Sequence, residues 1–112
     1  MLVNAKTWFQ VFEDAGGYCR YCGEDLLYSF SAYSSATLDH VIARAAQGSD
    51  NPVNLVLACR ACNGHLTRCK HLTDVDDRKA YALAQRKKGL PKYNSLVERH
   101  RPGKVPPRPE TG

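Results

Sequence analysis

The chain has 112 residues, of which 24% are charged, and a net charge of +5 at neutral pH. This length allows one small domain with a modest core, and no apolar run is long enough for a membrane span. The first residues also lack the apolar run and cleavage site of a secretory signal. We therefore expect a cytoplasmic protein, in which cysteine pairs bind metal more often than they form disulfides.

The charge is unevenly distributed along the chain. Up to Asp77, six lysines and arginines stand against nine acidic residues, whereas from Arg78 onward ten stand against two. The two parts therefore carry −3 and +8. A concentrated basic end is typical of a protein that binds polyanions. A solvated tail that only aids solubility explains the same charge equally well.

The N-terminal segment is predicted to be a helix. Trp8, Phe9 and Phe12 recur at helical spacing within residues 3–14, and Gly16-Gly17 would end the helix. We interpret this aromatic stripe as core packing rather than as a ligand-binding surface.

A cysteine turn and a β-hairpin are predicted next. Tyr18 to Gly23 contains a Cys-x-x-Cys that suits a tight turn, and residues 24–35 are interpreted as a loop with some extended structure. Ala36-Thr37-Leu38 predicts a first strand that ends at Asp39-His40. Asn54 to Ala58 is apolar and β-branched, as expected of the returning strand. The connection contains five consecutive turn formers from Gly48 to Pro52.

The C-terminal half is predicted to be helical and then extended. One helix would run from Arg60 to about Lys70 and a second from Asp74 to Lys88, with Gly89-Leu90-Pro91 ending it. A short helical piece at 94–99 would follow. The Pro-rich basic segment 101–109 should be extended and mobile.

Two cysteine pairs predict a structural zinc site. Cys19 and Cys22 form one pair and Cys59 and Cys62 the other, and four thiolates match the tetrahedral preference of Zn²⁺. The 36 residues between the pairs exceed the usual gap of a zinc ribbon, which fits an inserted functional segment. Buried free cysteines or a redox dithiol are the alternatives. Cys69 is interpreted as an ordinary helix residue.

The order of these motifs resembles the HNH endonucleases, which have a ββα-metal fold. Cys-x-x-Cys is followed by Asp39-His40, by Asn54 on a strand, and by a second Cys-x-x-Cys that ends in Asn63. The spacing, fourteen positions and then nine, is similar to the variants that carry Asn in place of the final His. The resemblance covers residues 18–65. It implies an α+β protein, a small ββα-metal finger with flanking helices and a structural zinc.

Each residue of this set has a chemical role in the predicted hydrolysis of a phosphodiester. His40 would accept a proton from water as the general base. Asp39 and Asn63 would offer oxygen ligands to one catalytic divalent ion, Mg²⁺ or another such as Mn²⁺ or Ni²⁺, with water and phosphate filling the remaining positions. Asn54 has, by resemblance, the role of bracing the loop and the histidine ring.

The sequence departs from the family at Leu66, where many members place a lysine. Nearby basic side chains are candidates to replace that phosphate contact, and others in the connection and the basic end would also bind DNA. The predicted DNA-binding residues are Arg44, His65, Arg68, Lys70, Lys87 and Lys88. His65 has a second possible role as a metal ligand.

We therefore divide the chain into a zinc-stapled nuclease core at 1–72, a basic helical extension at 73–100 and a flexible tail at 101–112. The predicted function is metal-dependent cleavage of double-stranded DNA through phosphate contacts, with weak sequence preference, by a monomer or weak dimer that nicks one strand. Restriction, phage packaging, mobile-element homing and repair all use such sites. A non-catalytic zinc module that binds nucleic acid is the chief alternative, and a protein-interaction zinc ribbon is the third.

Overall fold

The computed structural model describes residues 3–103. Helix α1 spans Ala5–Asp14, and its first turn is capped by the Asn4 side chain, which accepts a hydrogen bond from the Thr7 amide at 2.9 Å. Gly16 and Gly17 follow in the left-handed region (φ 63° and 82°). Glycine adopts this conformation at little cost, and the chain therefore turns out of the helix here. The predicted helix and its end are confirmed.

The segment before the hairpin contains a short helix that was not predicted. Residues 24–35 were expected to form a loop with some extended structure, but α2 spans Phe30–Ser34. The Ser29 hydroxyl caps it by accepting from the Ala32 amide at 3.0 Å. A serine cap before a single helical turn is a short-range signal, and no apolar periodicity accompanies it.

The hairpin lies where the sequence predicts it. Strands β1 (Ala36–His40) and β2 (Leu55–Cys59) pair antiparallel, with Ala36 opposite Cys59 and His40 opposite Leu55. The connection includes two short 3-10 turns, at Arg44–Ala46 and Pro52–Asn54. Helix α3 (Arg60–Leu66) follows β2 at once and is shorter than the predicted helix. This order of two strands and a helix confirms the α+β prediction.

The C-terminal part forms one long helix where two were predicted. Helix α4 spans Val75–His100 without interruption, although Pro91 lies within it. Proline removes one helical hydrogen bond, and Gly89 and Pro91 are both exposed. Water can therefore satisfy the freed carbonyl there, and the helix continues past the predicted stop. Residues 104–112, which hold most of the predicted tail, lie outside the described residues.

The core lies between α1, the hairpin, α3 and the first half of α4. Its fully buried side chains include Tyr21, Leu26 and Leu57, and four cysteines lie among them. Within α4, only Arg78 and Ala82 are buried, so the second half of that helix extends beyond the core. None of the helices within residues 3–103 combines the length and apolarity needed to cross a membrane.

Gly48 lies where the connection folds back closely on itself. A Cβ atom at this position would lie 1.7 Å from the Ile42 carbonyl oxygen, a backbone atom that cannot simply swing away. We expect Gly48→Ala to destabilise the fold by about 1–3 kcal/mol or more, because the loop must open to admit the methyl group. Urea unfolding followed by circular dichroism measures this.

Gly89→Ala is the matched control. A Cβ at Gly89 would have open space around it, and alanine in a helix interior is favoured over glycine by about 0.8–1 kcal/mol. The control should therefore unfold at equal or higher urea concentration. Equal stability of both variants would contradict the close approach at Gly48.

Candidate metal and active site

The four paired cysteines gather at one point in the core. The sulfurs of Cys19, Cys22, Cys59 and Cys62 all lie within 4.8 Å of one another and all four residues are buried. The Cys22 and Cys59 sulfurs are 3.7 Å apart. A tetrahedral zinc with bonds of about 2.3 Å requires sulfur separations of about 3.8 Å. The cluster therefore has the size that a four-thiolate ion site requires.

Each cysteine pair is arranged as a knuckle. The Cys22 amide donates to the Cys19 sulfur at 3.5 Å, and the Cys62 amide donates to the Cys59 sulfur at 3.4 Å. Such bonds stabilise thiolates, the form in which cysteine binds metal. Cys69 is separate from the cluster: its thiol lies 3.7 Å from the His65 carbonyl oxygen.

Asp39, a predicted metal ligand, is buried in an ion pair that the sequence did not reveal. Its Oδ1 lies 2.9 Å from Arg78 Nη2 and its Oδ2 lies 3.0 Å from Arg78 Nε. The Tyr21 hydroxyl also donates to Oδ2. Burial raises the pKa of Asp39, and the bonds from Tyr21 and Arg78 act in the opposite direction. A carboxylate offers about four acceptor positions. Three are used, and one remains on Oδ1.

Arg78 is itself fully engaged in the core. Its Nη1 donates to the carbonyl oxygens of Cys69 and Leu72, at 3.2 and 2.8 Å. The guanidinium therefore joins α4, the turn before it and strand β1. Burying a single charge is costly, and the opposite charges of Arg78 and Asp39 offset that cost for each other.

His40, the predicted general base, is held by a second carboxylate. Its Nε2 lies 2.7 Å from Asp50 Oδ1. Arg44 donates to the same Asp50 oxygen from Nε at 2.9 Å, and from Nη2 to Oδ2 at 3.2 Å. Arg44 and His40 lower the pKa of Asp50, so this carboxylate stays charged at neutral pH and its contacts weaken only as pH falls through that lowered pKa.

Asp50 was counted in the sequence only as a turn former, and Arg44 only as a DNA contact. The turn formers around Asp50 bring the chain back to the end of β1, where the Asp50 carboxylate contacts His40. This turn is the sequence signal that could have identified Asp50 as a partner of His40. Arg44 is half exposed, and its pairing with Asp50 fixes it at the rim of the site.

Asn54 holds the connection closed. Its Oδ1 accepts from the Ile42 amide at 2.8 Å, and its Nδ2 donates to the Ile42 and Ser49 carbonyl oxygens at 3.0 and 2.8 Å. These are the contacts of a residue that braces the loop. They reach the backbone on either side of the loop rather than the His40 ring.

Asn63 is oriented through its amide nitrogen. Its Nδ2 donates to Thr37 Oγ1 at 2.9 Å, and that hydroxyl donates to the Ala58 carbonyl at 2.8 Å. This chain of bonds ties the start of α3 to the hairpin. It uses the nitrogen of the amide and leaves the oxygen as the group suited to a hard cation.

The structure brings three of the four predicted catalytic residues together, and the fourth, Asn54, is not among the residues that line their cleft. Asp39, His40 and Asn63 line one cleft of about 220 Å³, together with Arg44, Lys70 and Arg78. Of the other predicted DNA-binding residues, His65 and Arg68 are exposed near α3, whereas Lys87 and Lys88 are exposed far along α4. Exposed basic side chains therefore lie both at the end of α3 and along α4.

Replacing Arg78 tests its role as the partner of Asp39. We expect Arg78→Met to lower the free energy of unfolding by about 3–5 kcal/mol, because it leaves a buried carboxylate unpaired. Asp39→Asn in the same chain should recover part of that loss, since the uncompensated charge is removed. Urea unfolding of the two single variants and the double variant measures the coupling.

Lys87→Met, an exposed position on the same helix, is the control and should change stability by less than about 0.5 kcal/mol. An Arg78→Met protein as stable as this control would show that the ion pair does not support the fold.

Comparison with known proteins agrees with the geometry. Residues 19–68 match the family model described as HNH endonuclease. The chain is also 36% identical, over 62 residues, to the CRISPR-associated endonuclease Cas9 of Corynebacterium diphtheriae. That alignment covers 54% of this chain and 5% of the relative, so the chain spans only a small part of that protein. No solved structure matches. The matched segment contains both cysteine pairs, β1, β2 and α3, and residues 19–68 of this chain are an HNH endonuclease domain.

Proposed function

We propose that this protein is a divalent-metal-dependent DNA endonuclease. The observation that carries the proposal is the shared cleft in which Asp39, His40 and Asn63 meet, with Asp50 against the histidine ring. Hydrolysis of a phosphodiester needs a base, ligands for a hard cation and basic side chains that bind the phosphate. The residues of this cleft offer all three.

The contact with Asp50 supports one assignment of the two ring nitrogens of His40. A carboxylate at Nε2 favours the neutral tautomer that carries its proton there. Nδ1 then has the free lone pair and would accept the proton of the attacking water. Asp50 is accordingly a positioning residue, which holds the ring and stabilises the positive charge that it gains.

Asp39 and Asn63 fit a divalent ion through oxygen atoms. Asp39 would contribute the remaining acceptor position of Oδ1, and Asn63 its amide oxygen. When bound, the ion supplies positive charge that offsets the charge developing on the phosphate. Because Arg78 already neutralises Asp39, this ligand pair would bind the ion weakly, and phosphate and water would complete its coordination.

The basic surface of α4 would bind DNA through phosphates, with affinity that falls steeply as salt rises. Contacts between basic side chains and phosphates carry no direct information about base sequence, which supports weak sequence preference. One cleft per chain favours nicking of one strand.

The alternative function, a non-catalytic zinc module that binds nucleic acid, also has an observation in its favour. Both oxygens of Asp39 bond to the Arg78 guanidinium, so a cation of this chain stands where an ion would approach. A protein that binds DNA and cleaves none with any divalent ion would have this function.

We expect one equivalent of zinc per chain. Cys22→Ser should lose the metal and unfold at lower temperature, because three thiolates and a hydroxyl hold zinc poorly. Cys69→Ser, which changes a buried cysteine outside the cluster, should keep the full equivalent. Elemental analysis and thermal circular dichroism measure the two properties. A folded wild-type protein with less than a tenth of an equivalent of metal would exclude the zinc site.

Cleavage of supercoiled plasmid by the zinc-loaded protein tests the enzyme. We expect nicking with Mg²⁺, Mn²⁺ or Ni²⁺ and none when the added ion is withheld. His40→Ala should slow nicking by about 100-fold or more, because it removes the base, and should leave DNA affinity within about twofold.

His71→Ala, a change at an exposed histidine outside the cleft lining, is the matched control and should nick at the wild-type rate. Asp50→Asn should slow nicking less than His40→Ala does. Equal rates for His40→Ala and wild type would exclude the proposed base.

A further inference from the structure

An aromatic groove lies beside the catalytic cleft. It has a volume of about 660 Å³, and its lining includes Trp8 and Phe9 of α1, Tyr33 of α2, and His40 and Arg44. This volume is in the range of pockets that bind small organic groups. The sequence led us to interpret the α1 aromatics as core packing, and Phe12 does pack there, but Phe9 is 52% exposed.

The rings of this groove stand in different planes. Phe12 stacks on the Trp8 indole from the core side of α1, with centroids 5.2 Å apart and planes 16° apart. Phe9 and Tyr33 stand nearly perpendicular to the indole, at 5.3 and 6.1 Å. A flat indole flanked by upright rings has the shape of a slot for another flat ring.

The groove and the cleft share one wall. Leu38, His40 and Arg44 line both. A strand whose phosphate lies beside His40 would therefore have its neighbouring nucleotide at the mouth of the groove. Arg44 stands between the two spaces, where a phosphate of the same strand would pass.

We propose that this groove binds an unpaired nucleobase next to the scissile phosphate, so that the substrate is single-stranded or locally unpaired DNA. The inference rests on the proposed nuclease function and refines its substrate, which the sequence predicted to be double-stranded DNA. Bases within a duplex are stacked on one another and cannot enter an aromatic slot. Stacking on aromatic rings accepts every base, which agrees with weak sequence preference.

The single tryptophan of the chain makes the groove observable. We would titrate the full-length protein, without added divalent ion, with a labelled 20-mer of thymidylate, its duplex with adenylate, and an abasic 20-mer with the same phosphates. Anisotropy gives affinity, and Trp8 emission reports stacking. We expect the single strand to quench Trp8 and to bind more tightly than the duplex. The abasic strand should leave Trp8 emission unchanged.

Substitutions of Phe9 separate stacking from general hydrophobic contact. Phe9→Ala and Phe9→Leu should both weaken binding of the single strand, by roughly 5- to 100-fold for a lost stack, while binding of the abasic strand stays within twofold. Phe9 is half exposed, so both variants should fold, and circular dichroism checks this. Tyr28→Ala removes a ring that is 83% exposed outside the groove, and should bind like wild type.

Two outcomes would overturn the proposal. One is equal affinity for the thymidylate and abasic strands with no quenching of Trp8. The other is wild-type affinity for the single strand in Phe9→Leu together with loss in Phe9→Ala, which would indicate general apolar contact at the groove rather than stacking of a base. Neither depends on cleavage. If the protein nicks plasmid but shows either outcome, the nuclease proposal stands and the groove proposal is wrong. If the single strand quenches Trp8 but the protein never nicks, the groove proposal stands and the nuclease proposal is wrong.

Discussion

The cluster of four cysteines determines how the rest of the domain is arranged. It joins the turn after α1 to the junction between β2 and α3, and the whole of β1 and the connection lie between its two pairs in sequence. Cys59 ends β2 and also caps α3, since its sulfur accepts from the Cys62 amide. Asn63 follows Cys62 directly. Fixing the sulfurs therefore fixes where the first turn of α3 meets the hairpin, and with it the distance between the two predicted oxygen ligands. A domain of this size has a small core, and a metal cross-link at the four sulfurs would supply stability that apolar burial alone does not.

A second link runs through buried charge. Tyr21 lies within the first cysteine turn, and its hydroxyl donates to Asp39, which is paired with Arg78 of α4. The cysteine cluster, strand β1 and helix α4 are thus connected by three side chains in contact. An ion pair of this kind stabilises the fold only while both partners are present, because each charge is costly to bury alone. The arrangement also limits Asp39 chemically, since most of its acceptor capacity is used before any ion arrives. Tight binding of a catalytic ion to the free protein is therefore not expected, and binding together with a phosphate is.

The features that were predicted correctly are those that short-range sequence patterns encode. The cysteine spacing, the apolar and β-branched residues of the returning strand and the turn residues of the connection identified both strands and the four sulfurs. The gathering of Asp39, His40 and Asn63 followed from the family resemblance, and their roles remain predictions. What was missed depends on distant partners. Arg78 lies 39 residues from Asp39, and no local pattern distinguishes it from the exposed basic residues of the same helix. Gly89-Leu90-Pro91 is a helix stop by local rules, yet the exposed helix continues through it. Asp50 was hidden among turn formers, and Phe9 among core aromatics.

Arg78 relates the uneven charge of the chain to its structure. Residues 1–77, which hold most of the cleft lining, carry −3, and Arg78 is the first of ten basic residues in the rest of the chain. Most of these ten lie along α4, a helix about 39 Å long at 1.5 Å per residue. The cleft itself is lined by one acidic side chain, Asp39, and by three basic ones, Arg44, Lys70 and Arg78. Phosphates are therefore attracted both to the helix and to the site that would cut them. The helix can deliver a strand only if it is held in a fixed orientation to that site. Arg78 provides this orientation, since it lies on the same helix as the exposed basic residues and pairs in the core with Asp39, the carboxylate beside His40. Loosening this one pair would separate the basic helix from the cleft that we propose cuts DNA, even in a chain whose cysteine cluster is intact.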